Sequence, residues 1–201
     1  GEGVMAADTE GHVTLFNRAA REWHGFPVDG PLDERVLEVA THLFEVDGAV
    51  PIEFEKLPLF RAIRGETVRD AEVVLRRAGA EPRYLIVNGG PLLDEAQRQV
   101  GAIVVMHDHT AQRHAEAALQ LRGSALEAAA DAIVITDRSG VVEWANPAFT
   151  ALTGYSLADA AGQNPRALLR SGAQSREFYA EMWQTILSGK VWRGELVNKR
   201  R

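Results

Sequence analysis

One stretch of the chain is written twice. Val4-Met-Ala-Ala-Asp8-Thr-Glu-Gly11-His-Val13-Thr-Leu-Phe-Asn17-Arg-Ala19 recurs as Ile133-Val-Ile-Thr-Asp137-Arg-Ser-Gly140-Val-Val142-Glu-Trp-Ala-Asn146-Pro-Ala148, at a constant offset of 129 positions (137 − 8 and 146 − 17). Gly25 and Gly154 keep the same offset. Each copy is an apolar run, an Asp-x-x-Gly turn, a second apolar run and then Asn before a short Ala-containing helix, the pattern of a β-hairpin that feeds a helix. Asn17 and Asn146 fit as helix N-caps, because a side-chain oxygen there accepts a backbone N–H that the helix leaves unbonded. A chain of 201 residues has room for two cores of roughly 100 residues, which agrees with the repeat.

The doubled pattern resembles the opening of a PAS domain, a small sensor module of bacterial signalling proteins. The resemblance implies an α+β chain with two PAS folds, each a five-stranded antiparallel sheet with helices on one face, joined by a helical linker. The expected boundaries are 1–109 for the first module, 110–130 for the linker and 131–201 for the second.

Strands are expected at Val4 to Asp8, Val13 to Asn17, Val68 to Leu75, Tyr84 to Val87 and Val100 to Met106, each an apolar run bounded by turn residues. A short helix is expected near Arg18 to Trp23, ending at Gly25 and Pro27. Leu32, Val36, Leu37, Ala40 and Leu43 recur at helical spacing, as do Leu57, Phe60 and Ile63. Asp108-His109-Thr110 resembles the Asp-x-Thr ending of many PAS domains, with Thr110 placed to cap a helix and Asp108 to hold the turn. Ala111, Ala115, Ala118, Leu119 and Leu126 then form a narrow apolar stripe, interrupted by Gly123, which reads as the connector. The second module is expected to have strands at Ala132 to Asp137 and Val141 to Ala145. Helices should begin at Pro147, Ser156 and Pro165, with a longer one near Ser175 to Leu187. One strand, Val191 to Lys199, comes next; two further strands of a PAS fold are missing, so the sequence reads as an excerpt of a longer protein.

Composition narrows the chemistry. No cysteine is present, which excludes disulfides, thiolate metal sites and a flavin held as a cysteinyl adduct. The formal net charge is −6 and the basic residues are scattered, so no nucleic-acid footprint is visible. No apolar run approaches the roughly 20 residues of a membrane span, so a cytoplasmic region without membrane contact is expected. No nucleophile, base and oxyanion donors recur together, so the fragment is not expected to be an enzyme. His42 could ligate haem, and His107, His109 and His114 share one neighbourhood, but isolated imidazoles are more often structural. No metal site is expected.

The segment Asn164-Pro-Arg-Ala-Leu-Leu-Arg170-Ser171-Gly172, Phe178-Tyr179-Ala-Glu-Met-Trp183 and Gly189-Lys-Val-Trp192-Arg-Gly194-Glu195-Leu-Val-Asn198 is similar to the PAS subfamily that includes flavin-binding redox sensors of nitrogen-fixation regulators. That resemblance implies FAD in the second module. A flavin is a flat apolar body with a polar edge, so Trp183 and Trp192 are candidate walls and Asn198 a candidate polar contact. Asn146 and Asn164 could meet the cofactor or only cap helices, and the two Trp residues could equally be core. The whole is expected to be the sensory and dimerisation region of a signalling protein, a histidine kinase with a covalently linked output domain. The alternatives are the input region of a diguanylate cyclase or phosphodiesterase, or a ligand-free relay.

Overall fold

The computed structural model describes residues 1–29 and 42–201, in two compact units, Gly1–Glu116 and Ala117–Arg201. The helical stripe expected over Leu32 to Ala40 lies outside the described residues. Its last member, Leu43, is instead in a two-residue strand.

In the first unit β1 (Gly3–Asp8), β2 (Val13–Phe16), β3 (Leu43–Phe44), β4 (Val68–Leu75), β5 (Arg83–Leu93) and β6 (Gln99–Asp108) form one antiparallel sheet in the order β2-β1-β6-β5-β4-β3. Short helices α1 (Arg18–His24) and α2 (Pro58–Ile63) connect and cover it. Alternation puts Met5, Leu85, Val87, Val104 and Met106 on the face that packs with Phe16, Ala20 and Leu57.

Strand β5 outruns the expected Tyr84 to Val87. The added stretch includes Gly89-Gly90-Pro91, and all three pair with β6. A Cβ on Gly89 would collide with the Ile103 carbonyl, so glycine is what permits the close approach there. The β4 ladder ends at Val68 opposite Gly89, so Pro91 lies past the last β4 pair and its missing N–H breaks no bond of that ladder.

The Asp-x-x-Gly turns form as read. Asp8 Oδ1 accepts the amides of Glu10 (3.0 Å) and His12 (2.9 Å). Asp137 Oδ1 accepts those of Ser139 (2.9 Å) and Val141 (2.8 Å). The closing glycine is left-handed, with φ +92° at Gly11 and +81° at Gly140. The β5–β6 hairpin repeats the device with no glycine to signal it. Asp94 Oδ1 accepts the amides of Ala96 (2.9 Å) and Arg98 (2.8 Å), while Gln97 takes φ +60°.

Helix α3 runs without a break from Thr110 to Ala128, straight through Gly123, and buries no side chain. The second unit opens with the hairpin β7 (Val134–Thr136) and β8 (Val142–Ala145). Four helices complete it: α4 (Pro147–Thr153), α5 (Leu157–Ala160), α6 (Pro165–Leu169) and α7 (Arg176–Leu187). Ser156 caps α5 within a capping box, and Ser175 caps α7. Val142, Ala145, Phe149, Ala160, Leu168 and Leu169 make the core.

The strand expected at Val191 to Lys199 does not form. A strand exists only where a neighbour takes up its ladder, and this segment makes one isolated bridge, Asn198 with Arg170. The Lys199 amide also donates to the Leu169 carbonyl at 2.8 Å.

The two asparagines do the same work in both units. Asn17 Oδ1 accepts from Val4 and Ala20 N–H, both at 3.0 Å, and its amide donates to the Glu2 carbonyl at 2.9 Å. Asn146, 1% exposed, accepts from Ile133 N–H (2.9 Å) and Phe149 N–H (3.0 Å) and donates to the Asp131 carbonyl (2.9 Å), with longer contacts to Leu126 and Ala129. Each ties the start of one strand to the start of the helix after the next. Asn146→Ala is expected to destabilise the second unit by about 2–4 kcal/mol, since a buried cap and several backbone partners are lost together. The half-buried Asn17→Ala should cost the first unit about 1–2 kcal/mol. Urea unfolding monitored by tryptophan fluorescence checks both.

Candidate functional site

In the first unit the sheet is latched to the start of α3. The Asp108 carboxylate accepts the Thr110 amide (3.0 Å) and meets Arg83 Nη1 at 2.5 Å. Thr110 is the first residue of α3 rather than its cap, and its hydroxyl oxygen is taken by the Tyr84 amide at 2.9 Å. The His109 amide donates back to the Tyr84 carbonyl at 3.1 Å. One turn on, the Arg113 guanidinium lies over the Tyr84 ring at 4.5 Å and pairs with Glu72 at 3.5 Å. Partial burial works against the Asp108 charge, but hydrogen bonds from Thr110 and the Arg83 cation outweigh it and hold this carboxyl below its ordinary range. Arg83 was not legible as a functional residue, because only the return of β5 beside β6 brings it to Asp108.

Behind α1 the same unit buries an imidazole. His24 is 3% exposed, rests against Phe16 with ring centroids 5.6 Å apart, and finds no hydrogen-bond partner for either ring nitrogen among the described residues. Burial first, then His42 and Arg77, push its pKa down to about 3. His42 likewise has a buried, unpartnered Nδ1. His107 is exposed and lies 4.0 Å from Glu2, whereas His109 and His114 each lie edge-on to Tyr84. These three imidazoles do not gather around one point that a metal would occupy among the described residues.

In the second unit the five expected residues separate. Trp183, on α7, and Asn164, the N-cap of α6, meet at Gly140, where an added Cβ would lie 2.6 Å from the indole and 2.9 Å from the amide nitrogen. Asn164 Oδ1 accepts the Arg166 amide at 3.0 Å and its nitrogen points toward the Ser139 carbonyl at 3.4 Å. Trp192 instead lies across the Gly194 backbone and edge-on to Phe178, with centroids 5.6 Å apart. Asn198 is exposed at its bridge with Arg170. Asn146 is committed to backbone groups, so its amide has nothing left for a ligand. Of the five, Trp183 and Asn164 are the pair that the structure brings to one place.

This geometry sets two expectations. Unfolded His24 takes up a proton below its ordinary value of 6.5 while the folded form resists until about 3, so stability is full above about pH 6.5 and falls as pH drops. The slope should approach about 1.4 kcal/mol per pH unit between about pH 6 and 4. His24→Gln should flatten it in pH-dependent urea unfolding. Gly140→Ala should cost more than Gly11→Ala: both strain a left-handed turn, by about 1–2 kcal/mol, but only the former drives a methyl into Trp183. The nearest atom to a methyl at Gly11 is on Phe60 at 3.7 Å. Tryptophan emission should shift for Gly140→Ala.

Each half of the chain matches a known family profile. The family profile described as PAS fold matches residues 121–201, and a second profile with that description matches residues 1–114. A nitrogen fixation regulatory protein of Klebsiella oxytoca is 53% identical over 76 residues, 38% of this chain and 15% of that protein. Its namesake in Klebsiella pneumoniae is 51% identical over 76 residues, with the same coverage. The aerotaxis receptor of Escherichia coli (strain K12) is 32% identical over 66 residues, 33% of this chain and 13% of the receptor. The chain thus spans about 15% or less of these relatives' length. Among solved structures, an RNA-binding light-oxygen-voltage receptor aligns over 94% of this chain and 82% of its own, with TM-score 0.42 and 15% identity. The PAS domain of nitrogen regulation protein NR(II) from Vibrio parahaemolyticus covers 53% and 88%, with TM-score 0.38 and 17% identity. With one profile covering more than half the chain and a second most of the remainder, this protein belongs to the PAS family and carries the family's domain twice.

Proposed function

We propose that this region is the sensory input and dimerisation part of a bacterial signal-transduction protein, a sensor histidine kinase, in which the state of the first module's sheet biases helix α3. The observation that carries the reading is the latch of Arg83, Asp108, Thr110 and Tyr84, which joins β5 and β6 to the first turn of that helix. A relay needs an element with two arrangements and a contact that favours one of them. Relatives named as a regulatory protein and a receptor support the sensory role. The region acts by binding and relay, and catalysis belongs to an output domain further along the chain. Leu119 and Leu126, exposed and seven residues apart on α3, suit a second copy of the helix.

The helix phase is the test. Two residues inserted near Gln120 turn the downstream module by about 200° and should alter output in the full protein, whereas seven should largely preserve it. Equal output across the series would remove α3 from the mechanism. Sedimentation of the 201-residue chain should give a dimer that Leu119→Glu with Leu126→Glu converts to monomer.

A second reading, favoured by the meeting of Trp183 and Asn164 at Gly140, places a flavin in the second module. Trp183 would flank the ring and the Asn164 amide would face its polar edge. The cofactor supplies a redox couple that no side chain of this chain offers. Protein purified from flavin-producing cells should absorb near ~450 nm, and Trp183→Ala should lower cofactor content. Colourless protein that takes up no added flavin would leave the ligand-free relay.

A further inference from the structure

The end of α1, the turn between β4 and β5 and the start of α3 enclose a cavity of about 190 Å³, whose walls include Trp23, Arg77, Glu81, Pro82, Arg83 and Thr110. A wider groove of about 710 Å³ shares Trp23, Arg83 and Thr110 with it. Arg77 is half-buried, and no carboxylate among the described residues lies within ion-pair reach of it. Its guanidinium lies where a Cβ on Gly25 would stand, so the glycine that ends α1 also makes room for this cation. A partly desolvated charge without a counter-ion is costly, and a carboxylate that accepts two parallel N–H bonds from the fork would remove the cost.

We propose that the cavity binds a small planar organic carboxylate, its ring against Trp23 and its charge held by Arg77 with Arg83. Arg83 already presents the Trp23 ring with its guanidinium, 5.7 Å from the centroid, and uses Nη1 for Asp108, which leaves further N–H groups toward the cavity. Pro82 and the indole supply apolar walls for a ring. A volume below the roughly 300–1,000 Å³ of drug-sized pockets suits a single ring. Glu81 and Asp108 balance the two arginines, so steering is weak and a Kd of about 0.1–1 mM is expected. Binding would touch the latch that starts α3, but it stands whether or not the region relays a signal.

Benzoate and its uncharged isostere benzamide, titrated into the 15N-labelled 201-residue chain, test this. The Trp23 indole N–H resonance should shift saturably with benzoate, and benzamide should bind at least about tenfold more weakly. Acetate, which lacks the ring, should also bind at least about tenfold more weakly. Benzoate should raise the ring pKa of His24, because the bound charge offsets Arg77, one of the groups that depress it. Arg77→Gln should weaken benzoate about tenfold or more. No saturable shift, equal binding of benzamide, or unchanged affinity in folded Arg77→Gln would each overturn the proposal. If that variant does not fold, the benzoate and benzamide comparison on the native chain decides.

Discussion

Everything in both units is hung on one side-chain amide. A hairpin leading into a helix leaves three awkward places: the open N–H at the entry to the first strand, the open N–H of the helix's first turn, and the carbonyl of the segment leading in. Asn17 and Asn146 answer all three, because an amide offers acceptor and donor on one rigid plane. Aspartate could accept but not donate, and serine is too short to reach both strand and helix. The orientation of the hairpin to the helix is thereby set before any core residue is placed, and Phe16 or Val142 with Phe149 then pack in that frame.

This explains what could be read from the sequence. The duplicated Asp, Gly and Asn positions disclosed both hairpins, their turns and their caps, since the turn and cap bonds reach only two to four residues along the chain. Val134, Val142 and Pro147 begin their elements within a residue or two of expectation for the same reason. Legibility ended where a partner distant in sequence decides. Gly89-Gly90-Pro91 looks like punctuation until β6 lies beside it, and Asp94 lacks the glycine that marked the other two turns because Gln97 tolerates the left-handed conformation there. Val191 to Lys199 has the composition of a strand but only one bridging neighbour, Arg170. Of the candidate site residues, Trp183 and Asn164 come together because Gly140 lets them, while Asn146 was recognised as a cap and is used up as one.

The polar features of the first unit sit at one end of the sheet. Arg83 serves Asp108 and Trp23, and Arg77 lies at the end of α1 beside the buried His24. A cation at a helix C-terminus is favourable through the helix dipole, yet here it also keeps a neighbouring imidazole neutral. The two effects oppose each other across a few ångströms, so the local charge balance is open to adjustment from outside.

Helix α3 buries none of its side chains. A segment that adds nothing to a hydrophobic core is free of the packing constraint that acts on helices such as α1 and α4, which bury side chains. Turns of helix between Ala115 and Ala125 could therefore be gained or lost with neither core changed. The length of this helix is thus a variable that neither core holds fixed.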